Sequence, residues 1–573
     1  MTNQQLAKTF SMIADLLEIR GENIYKILAY RKAADSLSNL SQDINDIWKQ
    51  GKLTEVDGVG KAIAEKIDEL LSTGHLGFLE KLEAEVPASL AEELQVPDLG
   101  PKKVALFWKE LGITSLSQLE EAARSGKLRN LPGMGEKSES KLIAGIEALG
   151  RRSTRLPLGR AWPFAQELLE YLGRAPGVKA VEVGGSLRRM RSTVGDIDIL
   201  AAARDSSAVM DAFVKRKDVA RVLGKGETKA SVEFTHGLQA QLWVHPPEHW
   251  GTALVYATGS KDHNVRLREY ALKKGFSLSE HSLKRKDGSE VICDREEDVY
   301  ETLGLPWIPP ELREDRGEVQ AAIKGKLPDL IELKDIKSDL QDHSTWSDGK
   351  LSIREMAEAA EKRGMKVLAM TDHTNSLGVV QGMDAAAVKE QGHEIEKVMK
   401  EMGKGIRLLK GAEVEIKTDG SLDYSDDVLA SLDIVVASIH TGLRQPREKI
   451  TERLIKAMRN PNVDIIGHPT GRLFPDRESS DLDMDAVFKT ASETGVAMEI
   501  NAHPMRLDLD DVHAKRANEM GIKLSINTDA HVEEDMDYLH FGVSTARRAW
   551  VEAEDVINTW PVQKLLEWLK SRG

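Results

Sequence analysis

Two aspartates, Asp196 and Asp198, stand two residues apart in VGGSLRRMRSTVGDIDIL (183–200). On a β-strand that spacing sends both carboxylates to one face. Paired carboxylates on one rigid strand are what two divalent cations need for in-line phosphoryl transfer. Gly184, Gly185 and Ser186 come just before them, a turn able to cradle triphosphate oxygens, with Arg189 adding positive charge. A larger constellation lies further on. DLQDHSTWSDG (339–349), TDHT (371–374), GAEVEI (411–416), SIHTG (438–442), GHPTG (467–471) and NTDAH (527–531) carry His, Asp or Glu at or just past the ends of apolar runs. Imidazole nitrogen together with carboxylate oxygen suits Zn2+, Mn2+ or Fe, and more than four ligands imply a multinuclear cluster. One such histidine alone would read as a surface or hydrogen-bonded residue; their repetition in one stretch reads as a metal centre.

Those side chains need a scaffold. Through the first ~150 residues the apolar positions recur with a helical period, joined by short glycine turns. Three turns share a pattern, in VDGVGKAIAEKIDELL (56–71), VPDLGPKKVALFWKEL (96–111) and NLPGMGEKSESKLIAGIEAL (130–149). Each places a glycine turn directly before a helix, where free N–H groups can hold a phosphate. From about Val178 the pattern changes: VKAVEVGGS, DIDILAA, VEFTH and LQAQLWV read as strands of an α/β unit. The Pro-rich PWIPPELRED (306–315) and the polar stretch after it place a boundary near 316–338. Beyond it KVLAMTDHT, IRLLKGAEVEI, DIVVASIHT, VDIIGHPT, GVAMEINAH and IKLSINTDAH alternate with helical patterns. Repeated strand-then-helix units predict a barrel-like or layered α/β domain with its ligand-bearing strand ends at one pole.

Composition sets bounds. The 573 residues imply several domains, and 41% hydrophobic content supplies their cores. Cys293 is the one cysteine, so an internal disulfide and a cysteine-cluster metal site are both excluded. The N-terminal segment reads as an amphipathic helix rather than a signal peptide, and no apolar run approaches the ~18 residues of a membrane span. A monomer in the reducing cytoplasm is the expectation. The net charge of −14 argues against a bulk electrostatic grip on nucleic acid. Even residues 1–150 hold 18 Lys and Arg against 23 Asp and Glu. Any hold on DNA must come from local amides and a few placed cations.

The glycine turns resemble the helix-hairpin-helix motif, which grips the sugar–phosphate backbone without reading sequence; Gly58, Gly60, Gly100, Gly133 and Gly135 carry the resemblance. IYKILAYRKAADSL (24–37) with GVGKAIAEKIDELL looks like the lyase domain of family X DNA polymerases, in which Lys66 matches the Schiff-base lysine. The Gly-Gly-Ser turn followed by GDID resembles the nucleotidyltransferase superfamily and, with the hairpins, the same polymerase family. YATGSKDHNVRLRE (256–269) is similar to that family's nucleotide-binding helix start. Tyr256, Gly259 and Asn264 match its nucleotide contacts and Arg268 its template-side arginine. Two positions depart from the pattern: Gln241 stands where the family has its third catalytic aspartate, and Ala257 where it has phenylalanine. Both imply weakened synthesis.

The C-terminal series resembles the PHP (polymerase and histidinol phosphatase) domain. The resemblance implies His343, Asp348, His373, Glu413, His440, His468, Asp529 and His531 as metal ligands, with Gln341 at the family's first ligand position. Asp372 is expected to orient His373, and Arg444, Arg472 and Arg506 to meet substrate phosphate. The whole chain thus resembles bacterial family X DNA polymerases fused to a PHP domain. The organisation this implies is a lyase-like helix-hairpin-helix domain (1–85), helix-hairpin-helix fingers (86–152), a nucleotidyltransferase palm (153–248), a thumb (249–316), a linker (317–338) and a distorted (β/α) PHP barrel (339–573). The implied function is repair of gapped, nicked or 3′-recessed DNA. Mg2+ or Mn2+ and dNTP would serve the palm, and Mn2+ and/or Zn2+, in a trinuclear arrangement, the PHP domain's 3′-5′ exonuclease. A fully active gap-filling polymerase, a small-molecule phosphatase of the histidinol-phosphatase type and a non-catalytic DNA-end scaffold are the competing readings.

Overall fold

The computed structural model describes residues 1–572 apart from 2, 39, 41, 95, 97–98, 137, 141, 144–145, 147–154 and 376–381. Part of the second glycine-turn segment and much of the third helix after its turn therefore lie outside the described residues. The chain divides into two compact units, Met1–Thr154 and Arg155–Gly573. No helix among the described residues is long and apolar enough to cross a membrane.

The first unit is helical: α1 (Asn3–Arg20), α2 (Ile24–Ser38), α3 (Ile44–Lys49), α4 (Lys61–Thr73), α5 (Gly77–Glu85), α6 (Leu90–Glu93), α7 (Pro101–Leu111) and α8 (Leu116–Arg124). One apolar core runs from Leu6, Phe10 and Leu17 of α1 to Val104 and Phe107 of α7, and on to Leu119 of α8. Both predicted hairpin glycines that turn the chain, Gly58 and Gly133, have positive φ, +74° and +73°. That conformation costs an L side chain energy and glycine nothing. Gly60 and Gly100 then cap α4 and α7 without any side-chain hydrogen bond, which leaves first-turn amides open to an anion. Pro101 at the start of α7 removes one such donor from the middle copy.

The second unit holds the palm, the thumb and a barrel. The palm packs α9 (Leu158–Gly173) on a five-stranded sheet of β1 (Ala180–Val183), β2 (Ile197–Ala202), β3 (Val219–Lys225), β4 (Lys229–Phe234) and β5 (Gln239–His245). The strand order is β1-β2-β5-β4-β3, with β2 and β5 parallel. α10 (Trp250–Thr258) and α11 (Lys261–Lys273) follow as the start of the thumb. The barrel consists of β6 (Ser338–Asp342), β7 (Val367–Met370), β8 (Arg407–Glu415), β9 (Ile434–Ser438), β10 (Ile465–Ile466), β11 (Ala497–Asn501) and β12 (Leu524–Asn527). All seven strands are parallel and lie in sequence order. A bridge from Asp342 to Ala530 brings the last strand's end back to the first. A parallel sheet needs crossovers, and the helices between these strands supply them and cover one face, while Leu340, Val367, Leu409, Ile434 and Ala497 on the other face pack against Ile557, Trp560 and Leu565 of the C-terminal segment.

Palm, thumb and barrel are tied by buried ion pairs. Glu314, at the end of the thumb, meets Arg189 at 3.0 Å, Arg191 at 3.3 Å and Arg548 at 3.0 Å. Arg548 ends α12 (Leu539–Arg548) and also reaches Asp511 at 2.8 Å and the Arg189 carbonyl at 2.6 Å. Close by, Glu296 takes Arg188 at 2.8 Å and Arg313 at 2.6 Å. Burial favours the neutral acid, but the guanidiniums outweigh it and hold both carboxyls down at about 2. A folded-state value below the unfolded one gives stability that is complete above pH ~4.5 and lost as pH falls toward 2, on the order of 3 kcal/mol per group. The expected result is a steep fall in melting temperature between pH 5 and pH 3. Glu314→Gln should lower the melting temperature at pH 7 and flatten that acid limb; a variant as acid-sensitive as the parent would contradict the assignment.

Candidate functional site

The PHP-like centre is assembled at one pole of the barrel. His343 follows β6, His373 follows β7, Glu413 lies near the end of β8, His440 follows β9, His468 follows β10 and Asp529 follows β12. The strands run parallel in sequence order, with a register shift between Asp339 and Asp342 in β6, so the ends that carry these residues lie side by side and bring His343 and His531 to a ring-centroid distance of 4.3 Å. Glu413 is the hub. Its Oε2 stands 3.4 Å from His343 Nε2 and 3.3 Å from His373 Nδ1; its Oε1 stands 3.3 Å from His440 Nε2 and 2.8 Å from His468 Nε2. Asp529 Oδ1 is 3.0 Å from His343 Nε2, and Asp348 Oδ1 is 3.2 Å from His531 Nε2. Among the described residues, three overlapping groups have donor atoms close enough to share a cation: His343, Asp348, His373 and His531; His373, Glu413 and His440; His343, Glu413 and Asp529.

These residues fit metal ions on a structural ground. Both side-chain oxygens of Glu413 and both ring nitrogens of His343 and His468 are buried without a hydrogen bond among the described residues, despite their short separations. Both amide atoms of Gln341 are orphaned in the same way. Buried polar atoms left unpaired cost about 1–3 kcal/mol each, more when charged, so such a set calls for cations. Protons now do part of that work. Burial works against His440⁺, but Glu413 and Glu415 outweigh it and raise its pKa to about 9. At His373 burial prevails, assisted by His343 and His440, and the pKa drops to about 4. Cation binding at such a site releases protons.

The supporting partners differ in part from expectation. Asp372 does not orient His373. Its carboxylate takes Ser344 N at 2.7 Å, Ser344 Oγ at 2.8 Å, Ser347 Oγ at 2.7 Å and Gln391 Nε2 at 2.7 Å, and so anchors the loop after β6. Arg472 is likewise structural: it donates Nε to the Arg506 carbonyl at 2.6 Å and Nη2 to that of Leu507. Arg444 is exposed. Arg506 alone of the three reaches the cluster, with Nε 3.6 Å from Asp529 Oδ2. Sequence reasoning missed Glu415, which binds His440 Nδ1 at 2.8 Å, and Glu499, which accepts from His468 N at 2.6 Å and Asn527 Nδ2 at 2.8 Å. It also missed Asn501, which donates to Asp529 Oδ2 at 3.1 Å. The signal was present: in AEVEI (412–416) and AMEIN (497–501) Glu415 shares a strand face with Glu413, and Glu499 with Asn501.

In the palm, Asp198 on β2 lies beside Gln241 on β5, and Gln241 Nε2 donates to Asp196 Oδ2 at 3.0 Å. All three positions therefore meet. Burial, then the neighbouring Asp196, raises Asp198 to about 7, against the pull of Lys229 and Arg189. Gly185 (φ +56°) admits this carboxylate, because a Cβ there would lie 2.2 Å from Asp198 Oδ2. Ser186 follows it in the first turn of the short helix Gly185–Arg188. Arg189 is turned to structure, donating to the Thr258 carbonyl at 2.9 Å and to Glu314. Tyr256 is exposed near the end of α10; Asn264 Nδ2 donates to its carbonyl at 2.7 Å and to that of Gly259 at 3.3 Å. Arg268 is exposed on α11. In the first unit, Lys66 lies 4.9 Å over the Phe78 ring and donates to the Ala62 carbonyl at 3.1 Å.

The comparisons agree with this architecture. A helix-hairpin-helix domain model matches residues 1–76 and a SAM-like helix-hairpin-helix tandem 90–148. A DNA polymerase beta thumb model matches 253–314 and a PHP domain model 339–503. Together they define a DNA polymerase body joined to a PHP barrel. The DNA polymerase/3′-5′ exonuclease PolX of Bacillus subtilis strain 168 is 39% identical over 573 residues, the full length of both chains. The chain belongs to the PolX family. Its C-terminal part is also similar to a probable phosphatase of Thermoanaerobacter sp. strain X514, 34% identical over 231 residues, 39% of this chain and 89% of that protein. A probable phosphatase of Shewanella oneidensis is 30% identical over 232 residues, covering 39% and 86%.

Proposed function

We propose that the protein processes the 3′ ends of gapped or nicked DNA by Mn2+-dependent 3′-5′ exonucleolysis at the PHP centre, carried on a family X polymerase core whose synthesis Gln241 weakens. The observation that carries this reading is the buried set of unpaired histidine and carboxylate atoms around Glu413. His343, Asp348, His373, Glu413, His440, His468, Asp529 and His531, with the Gln341 carbonyl, would hold the cations, three in number by the three overlapping groups. Bound divalent cations supply an activated water and neutralise the leaving oxygen.

The chain's own side chains do the rest. Glu415 holds the His440 ring so that Nε2 faces Glu413. Asn501 fixes Asp529. Arg506 keeps a buried Nη1 without a hydrogen bond among the described residues, a donor suited to a phosphate oxygen. The first-turn amides after Gly60, Gly100 and Gly135 would grip DNA backbone independent of sequence, in keeping with the chain's net negative charge.

The deciding experiment incubates the full-length protein with Mn2+ and a 5′-labelled primer on a one-nucleotide-gapped template, with and without dNTPs. Shortening without net extension is the expected result. Extension that depends on Asp196 would restore a bifunctional gap-filling enzyme. The similarity of the barrel to probable phosphatases favours a second reading, hydrolysis of a small phosphomonoester; failure to bind gapped DNA would support it.

A further inference from the structure

The loop after β11 belongs to two structures at once. Its inner side lines the cluster: His503 N donates to Asn501 Oδ1 at 3.0 Å, and Arg506 lies against Asp529. Its outer side is part of the palm. Leu507, 1% exposed, joins the apolar core formed by α9 and the palm sheet, as does Phe541 of α12. Trp162, one turn along α9 from Gly159, meets Phe541 edge-on with ring centroids 6.5 Å apart. Gly159 itself seats Pro504: a Cβ at Gly159 would lie 2.4 Å from Pro504 Cβ and 2.7 Å from Pro504 Cγ. Leu507 adopts φ +47°, a conformation leucine holds only where its surroundings impose it. Here the palm core presses from one side while Arg472 holds the Arg506 and Leu507 carbonyls from the other.

We propose that the palm positions Arg506 at the hydrolytic centre, through the Gly159–Pro504 contact and the burial of Leu507, so that the polymerase body forms one wall of the PHP site. The inference rests on the hydrolytic reading above and deepens it. Gly159 and Leu507 are positioning residues; Arg506 is the group that faces substrate phosphate. A chain in which palm and barrel merely packed together would let either surface change without consequence for the cluster. In this one, a shift of α9 moves the loop that carries the arginine.

The test is Gly159→Ala in the full-length protein. The site is helical, so alanine favours the helix itself, while its methyl must push Pro504 from 2.4 Å to an ordinary contact distance, a displacement of about 1 Å. A misplacement of that size costs up to about 100-fold in rate. With bis(p-nitrophenyl) phosphate and Mn2+, kcat is expected to fall at least about tenfold. This substrate is too small to need the DNA-binding hairpins. In metal-free protein, hydrogen exchange of the segment 501–509 should quicken. Adding Pro504→Gly, which removes the clashing atoms, should reverse both changes, a rescue that general destabilisation would not show. Wild-type kcat and exchange in Gly159→Ala would overturn the proposal, as would failure of Pro504→Gly to relieve the loss. A parent protein inert toward the diester and toward DNA ends would sink the hydrolytic reading instead, and the exchange measurement would then decide the positioning alone.

Discussion

Glu413→Gln is expected to abolish metal-dependent shortening of a 5′-labelled primer while leaving the barrel folded. The substitution keeps the side chain's shape and removes its charge from the centre of four imidazoles, those of His343, His373, His440 and His468. Changing a partner that merely orients a ligand costs about 10–100-fold in metal affinity or activity. Glu413 belongs to two of the three candidate cation groups, so its loss should exceed that range. Without the carboxylate, His440 should lose part of the support that keeps it protonated against burial. The primary readout is the rate of primer shortening with Mn2+. The independent readout is the rise in melting temperature on adding Mn2+, which mass action ties to binding and which should shrink in the variant. A variant that keeps both the rate and the thermal shift would remove Glu413 from the centre.

Gln241→Asp should act in the opposite sense, by creating activity. The amide donates to Asp196 Oδ2 across 3.0 Å and neighbours Asp198 on the adjoining strand, so a carboxylate in its place would face the same pair. Three carboxylates repel one another, and burial already lifts Asp198 to about 7. Melting temperature in metal-free buffer should therefore fall. With Mg2+ or Mn2+ and dNTPs the added charge holds cations and offers a base for the primer hydroxyl, the kind of help worth about 10²–10⁴-fold. Extension of a gapped primer should rise by at least about a hundredfold. Equal extension by parent and variant would mean that the amide is not what limits synthesis, and Ala257 would become the next position to change to phenylalanine.

Much of the candidate site could be read from the chain. Histidines and acids at the ends of apolar runs declared themselves, because in a parallel barrel the strand end is the one place where a side chain is both held rigidly and turned to the site. The Asp196/Asp198 pairing was legible from a strand's two-residue period, although the strand begins at Ile197, so that Asp198 lies on it and Asp196 immediately precedes it. Arg189 shows the limit. Its neighbours suggested a phosphate contact, yet its guanidinium is absorbed by Glu314, 125 residues away, and by a helix-end carbonyl. Asp372 and Arg472 show it again: Asp372 is next to His373 and Arg472 four residues after His468, yet each side chain serves a different loop.

The amino-acid sequence by itself determined the helical hairpin body, the pairing of Asp196 with Asp198 and the strand ends that carry His, Asp and Glu, because periodicity and strand-end position are local properties. Only the tertiary structure decided which acids stand behind those histidines, where Glu415 and Glu499 are engaged, and that the loop of Arg506 shares a core with the palm. Those outcomes depend on which distant surfaces meet. Burial, ion pairing and the fit of Pro504 against Gly159 are pairwise properties of packed elements, and no single segment of the chain carries them.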